Sequence, residues 1–121
     1  INNQICRLAP FLKSVPIITI SALHGTRVEK LLDKTLAVFQ ERHKWVDRTT
    51  LRNLVKGLNQ PSGKDRLYEL KQTGVAPPVF IAFASNQLNS EYMRYLKGQL
   101  RNYFGFEGNP IIIKTRILRH R

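Results

Sequence analysis

Arg94, Lys97 and Arg101 fall at i, i+3 and i+7, a spacing that puts three cations on one side of a helix. A stripe of fixed positive charge is suited to one kind of chemistry, holding the phosphates of a polyanion. Lys64 and Arg66 stand beside the turn-rich stretch 59–64 (NQPSGK), and Lys114, Arg116, Arg119 and Arg121 carry the same sign through the last residues. The spacing on the helix is equally compatible with an ordinary solvated face. Tyr92, Tyr95, Tyr103 and Phe106 are candidates for stacking on bases, although aromatic residues at helical spacing more often belong to a core.

Catalytic chemistry has little to work with. There is no Gly-x-x-x-x-Gly-Lys-Ser/Thr phosphate loop and no nucleophile elbow. Cys6 is the single cysteine, which excludes a disulfide within the chain and suits a reducing compartment. His24, His43 and His120 are too scattered to join it as ligands, so no structural zinc is expected. The string Gly105-Phe106-Glu107-Gly108 has the form of a Gly-x-x-Gly backbone clamp for RNA. Its position, between a helix and the strand after Pro110, leaves no room for a second helix, and Glu107 would repel phosphate. It reads as a helix-stop glycine followed by a turn glycine.

Charge is the strongest compositional fact. Twenty Lys and Arg against eight Asp and Glu give +12, with residues 1–44 at +4 and residues 45–121 at +8. Such an excess points to nucleic acid, a ribonucleoprotein or an acidic membrane surface. No run of eighteen apolar residues is present, so no membrane span is expected; a surface role is disfavoured because the apolar arc beside the cationic stripe is needed for a core. With 42% apolar residues in a chain of 121, one or two small domains with a packed interior are expected. The chain opens on Ile1 and not on Met, so it is expected to be a piece of something longer, in which no signal sequence can be judged.

The elements that would position these residues follow from periodicity. Residues 77–116 read as strand, loop, helix, loop, strand. The run 79–84 (VFIAFA) has strand length and is expected to be covered on both faces. Ser90 is placed to cap a helix whose apolar arc is Met93, Leu96, Leu100, Tyr103 and Phe104, with Gly105 as its stop. Gly98 inside that helix could mark the approach of another backbone, such as a docked domain. Residues 111–116 (IIIKTR) form a further strand. Upstream, residues 66–72 (RLYELKQ) alternate, with Tyr68 and Leu70 on one side and Glu69 and Lys71 on the other. A short helix capped by Thr49 or Thr50 precedes it, with Leu51, Leu54, Val55 and Leu58 on one face and Arg52 and Lys56 on another. The charged stretch 40–48 is a linker, in which Trp45 and Val46 could anchor on either neighbour. Before it, residues 17–20 (IITI) read as a strand. Thr26 and Glu29 form a capping box for a helix that buries Val28, Leu31, Leu32, Thr35, Leu36 and Phe39. That strand has no sequence neighbour to pair with, so residues 1–44 read as the edge of an absent domain.

Two stretches carry a family resemblance. Residues 18–25 (ITISALHG) resemble the last nucleotide-binding motif of Ras-like GTPases. The order Gly63-Lys64, alternating strand, Pro77-Pro78, Ser85-Asn86, Tyr92-x-x-Tyr95-Leu96, Phe104-x-Phe106 and Gly108-Asn109-Pro110-Ile111 resembles the C-terminal end of the Der/EngA double GTPases. The likeness covers essentially the whole chain, with a departure at Asp47-Arg48. It implies that residues 1–44 are the end of the second GTPase domain and residues 45–121 a KH-like domain. The fold class it implies is α+β: α-β-β-α-β with a three-stranded sheet and helices on one face, after a strand-helix remnant of an α/β domain. In the intact parent, Ser21, Ala22 and Leu23 would pack beside the guanine base, and GTP and Mg²⁺ would be bound there; this chain alone lacks the phosphate loop and the Asn-Lys-x-Asp motif and is expected to be inactive. The implied partners are ribosomal RNA and the large ribosomal subunit, with Lys64, Arg66, Arg94, Lys97, Arg101, Lys114, Arg116 and Arg119 as contacts, and the parent's own GTPase domains. The implied setting is a cytoplasmic monomer. The alternative is a module that docks on the parent's GTPase domains without touching RNA.

Overall fold

A computed structural model of the chain describes residues 4, 7–9, 15–21, 25 and 27–118. Its regular elements are α1 (Val28–Arg42), α2 (Arg48–Gly57), β1 (Leu67–Gly74), β2 (Val79–Ala84), α3 (Ser90–Phe104) and β3 (Ile112–Ile117). The strands form a three-stranded sheet in the order β1-β2-β3, with β1 and β2 antiparallel and β2 and β3 parallel. Parallel neighbours need a crossover, and α3 supplies it.

β2 sits in the centre because it is the most apolar strand. Phe80, Ala82 and Ala84 point into the helix layer and are fully buried. Val79, Ile81 and Phe83, on the opposite face, are only half-buried. The expected cover on both faces is therefore complete on one face only, since no helix among the described residues lies over the other.

β1 departs from simple alternation. Leu67 pairs with Ala84 but Glu69 pairs with Phe83, so one extra residue is accommodated at Tyr68. The irregularity turns both Leu67 and Leu70 into the core and leaves Tyr68 partly exposed, separating it from Leu70. Loss of strict alternation is what a bulge does to a strand's period.

Both helices of the core are capped one or more residues earlier than their sequences suggest. The Asp47 carboxylate caps α2, accepting from the Thr50 N–H at 3.0 Å and the Thr50 hydroxyl at 3.1 Å. These bonds to the ionised form, the backbone one first, hold the Asp47 carboxyl below the usual carboxylate range. Asn89, not Ser90, caps α3, its side-chain oxygen accepting from the Tyr92 N–H at 2.7 Å. α3 ends at Gly105, whose φ of 93° and N–H bond to the Arg101 carbonyl close the last turn.

The core lies between the sheet and these two helices. Phe80, Phe106, Leu96 and Leu100 are among its fully buried side chains, each worth about 1.5–3 kcal/mol of burial. The buried face of α3 is Tyr92, Leu96 and Leu100, while Met93 and Phe104 flank it and Tyr103 is 58% exposed. The expected arc is thus rotated toward Tyr92, whose hydroxyl has a partner inside.

α1 behaves differently. Glu29 in its first turn and Arg42 in its last suit the helix dipole, yet none of its residues is buried. Leu31, Leu32, Leu36 and Phe39 are all exposed, Leu32 by 64%. The apolar arc forms at helical spacing as expected, but the described residues near it, Val15, Pro16 and Ile18 beside Leu31 and Val38, leave it largely open. Residues 16–20 likewise show no strand, since no strand among the described residues pairs with them. Thr26, the expected cap, lies outside the described residues; Arg27 precedes the helix in a left-handed conformation without a side-chain cap.

Candidate nucleic-acid interface

The predicted cations do not converge on one surface. Arg94 and Lys97 are exposed on the outer side of α3. Lys114 and Arg116 are exposed on β3, opposite Ile81 and Phe83 of β2 in the register, on the sheet face that faces away from the helices. Lys64 and Arg66 are exposed in the loop before β1. Arg66 is tied to the end of β2, its N–H donating to the Ser85 hydroxyl at 2.8 Å and its carbonyl accepting from the Ser85 N–H at 2.9 Å. That places it at the same end of the sheet as Arg116. Among the described residues, none of Lys64, Arg66, Arg94, Lys97, Lys114 and Arg116 makes an ion pair. Arg119 and Arg121 lie outside the described residues.

Arg101 is committed to the fold. Its guanidinium donates to the Phe106 carbonyl at 3.0 Å and the Asn109 carbonyl at 2.9 Å, pinning the turn after α3. Desolvation there pushes its pKa down from the ordinary arginine value. The stripe on α3 narrows to Arg94 and Lys97.

The Gly-x-x-Gly string is built for packing. Phe106 is fully buried against Phe80, ring centroids 6.1 Å apart in an edge-on arrangement. Glu107 pairs with Lys34 of α1 at 2.9 Å. A Cβ on Gly108 would come within 2.8 Å of the Val38 side chain, so the second glycine allows α1 to approach. The Asn109 amide completes that junction, donating to the Val38 carbonyl at 2.9 Å. Lys44 also joins it, donating to the Phe104 carbonyl with its ammonium over the Phe106 ring.

The aromatic candidates divide in the same way. Tyr92 is buried and donates to the Asn59 carbonyl at 2.7 Å, and the Asn59 N–H donates to the Tyr95 hydroxyl at 3.1 Å. The two tyrosines therefore hold the loop after α2. Tyr103, edge-on against Phe104, stays largely exposed, and so does Trp45, 59% exposed at the start of the segment leading into α2.

Sequence reasoning missed one cluster. Arg48, Arg52 and Lys56 follow one another at four-residue spacing along α2 and are all exposed. A cleft between α2 and β1 is lined by Trp45, Arg48, Arg52, Glu69 and Lys71, and it continues past Lys56 and Tyr68. The spacing was visible in the sequence. What it could not give was the opposing wall, since β1 becomes an edge beside α2 only through the sheet order.

Of the residues beside the guanine base in the expected reading, Ser21 is described and half-buried, while Ala22 and Leu23 lie outside the described residues. Among the described residues no group of three or more His, Cys, Asp or Glu side chains could hold a metal ion, and no helix is long and apolar enough to cross a membrane.

Residues 43–116 match the family model described as the KH-domain-like region of EngA bacterial GTPase enzymes, C-terminal. Similar proteins include the GTPase Der of Chloroflexus aggregans, 36% identical over 116 residues, and that of Caldanaerobacter subterraneus subsp. tengcongensis, 35% identical over 115 residues. The GTPase Der of Desulfitobacterium hafniense is 40% identical over 116 residues. Each alignment takes in 88% of this chain and 26% of the relative, so the chain spans about a quarter of the length of these relatives.

Proposed function

The chain belongs to the family of KH-like C-terminal domains of EngA bacterial GTPases, and from that premise we propose that it is the RNA-binding end of a GTPase that assists assembly of the large ribosomal subunit. Residues 45–121 would grip ribosomal RNA or its precursors through phosphate contacts, without reading sequence. Residues 1–44 would be the end of the second GTPase domain, with Ser21, Ala22 and Leu23 beside the guanine of a bound GTP in the intact parent. The parent's nucleotide state, with its Mg²⁺, would control exposure of the RNA-binding surface, and the setting would be the bacterial cytoplasm. The residues in hand do not make a nucleotide site, since the phosphate loop is absent from the sequence, so no hydrolytic step is assigned to this chain.

The observation that supports this reading is a charge of +12 on a packed α+β fold in which Lys64, Arg66, Arg94, Lys97, Lys114 and Arg116 are exposed and make no ion pair among the described residues. Cations paired with carboxylates would serve solubility or stability; unpaired ones remain available to phosphate. The test is titration with a ribosomal RNA fragment across a range of salt. Binding that weakens steeply with salt supports the proposal.

A second reading has its own support. The exposed apolar side of α1 and the half-buried outer face of β2 are surfaces a neighbouring domain could cover. On that view the chain docks on the parent's GTPase domains and its charge is incidental. Absence of RNA binding at low salt favours it.

A further inference from the structure

The cleft between α2 and β1 has features that the proposed surfaces on α3 and β3 lack. Its helical wall carries Arg48, Arg52 and Lys56 in a row. Four residues of helix advance about 6 Å, a step of the same order as that between successive phosphates of an extended single strand. The opposite wall is the outer edge of β1, which contributes Lys71. None of these four cations makes an ion pair among the described residues. Trp45 stands at one mouth with most of its surface open to solvent. Glu69 is the acidic side chain lining the cleft; it opposes phosphate but can accept from an exocyclic base amine. Cations in a row with an exposed aromatic at the end is the arrangement that holds single-stranded nucleic acid.

We infer that this cleft takes one strand of RNA, with phosphates on Arg48, Arg52 and Lys56 and a base stacked on Trp45. The inference rests on the RNA-binding reading and gives it a location away from the α3 stripe. An acidic peptide added along the edge of β1 is the competing occupant; it would use the cations but has no base to place on the exposed Trp45 indole.

Trp45 is the single tryptophan of the chain, so its fluorescence reports on this cleft alone. The 121-residue chain is titrated with a labelled ten-nucleotide oligouridylate, reading both the label's anisotropy and the emission of Trp45. Both signals are expected to change with one affinity. Arg52→Glu with Lys56→Glu should weaken binding at least about tenfold and abolish the emission change. Trp45→Ala should weaken it by about tenfold. Arg94→Glu with Lys97→Glu should leave the emission change in place. Binding seen by anisotropy without a change at Trp45, or a change that survives the Arg52 and Lys56 reversals, overturns the cleft and leaves the RNA-binding reading standing. No anisotropy change at low salt overturns both. An emission change with polyglutamate but not with oligouridylate assigns the cleft to a peptide and overturns the inference.

Discussion

Arg101 shows how a cation can belong to a stripe by spacing and to the core by geometry. Its two bonds to the Phe106 and Asn109 carbonyls hold the turn that seats Phe106. Hydrogen bonds from a charged donor contribute about 1.5–3 kcal/mol each. Arg101→Ala is expected to destabilise the chain by about 3 kcal/mol, measured by urea unfolding, whereas Arg94→Ala, at an exposed position, should fall within about 0.5 kcal/mol of wild type. Tyr92 makes a second prediction at this scale. Burial, and then the neighbouring Tyr95, raise its pKa from 10.0 to about 12. The folded state thus retains a proton that the unfolded state releases above pH 10, and stability from this group is full below pH 10 and lost as pH rises toward 12. The gap in urea midpoint between wild type and Tyr92→Phe should be constant below pH 10 and shrink above it. A gap that widens instead would contradict the assignment.

At the scale of elements, two glycines make opposite predictions. Gly98 lies within α3, exposed, and a Cβ there would meet nothing within 4 Å. Among the described residues no other backbone comes that close, and Gly98→Ala should stabilise by about 1 kcal/mol through helix propensity alone. Gly108 has a φ of 77°, and a Cβ there would lie only 2.8 Å from Val38, so Gly108→Ala should destabilise and loosen α1 from the turn. Thermal unfolding of the pair checks both signs. These elements also show how far the sequence could be read. The strands and helices of residues 48–117 follow from periodicity, because each buries an apolar face that the chain itself covers. The caps were displaced toward Asp47 and Asn89 because several capping residues stand in a row, and only backbone direction selects among them. The bulge at Tyr68 was hidden because alternation cannot reveal an inserted residue until its partner strand is known. The apolar stripe of α1 was legible, but its exposure was not, since helical spacing does not say what packs against a face, and none of the described residues buries it.

For the whole molecule, the placement of charge limits what one ligand can touch. Arg94 and Lys97 lie on the helix layer, Lys114 and Arg116 on the outer sheet face, and Arg48, Arg52, Lys56 and Lys71 around the α2–β1 cleft. Lys71 pairs with Ile81 and Ile81 with Lys114, so Lys71 stands where the cleft meets the outer sheet face; a ten-nucleotide strand lodged along α2 reaches Arg48, Arg52, Lys56 and Lys71 first, and Lys114 and Arg116 only by crossing the sheet. Single-stranded ligands lose about 0.7 of logarithmic salt slope per phosphate contact, so the slope for a ten-mer should be about −3, far short of what +12 would suggest. A long, folded ribosomal RNA segment can wrap several faces and should give a steeper slope. Reversing Lys114 and Arg116 to Glu should then flatten the slope for the long RNA and leave the short one nearly unchanged. Equal slopes for the two ligands would mean that a single surface carries all the binding, and the sensitivity of that common slope to the Arg52 and Lys56 reversals would show whether it is the cleft.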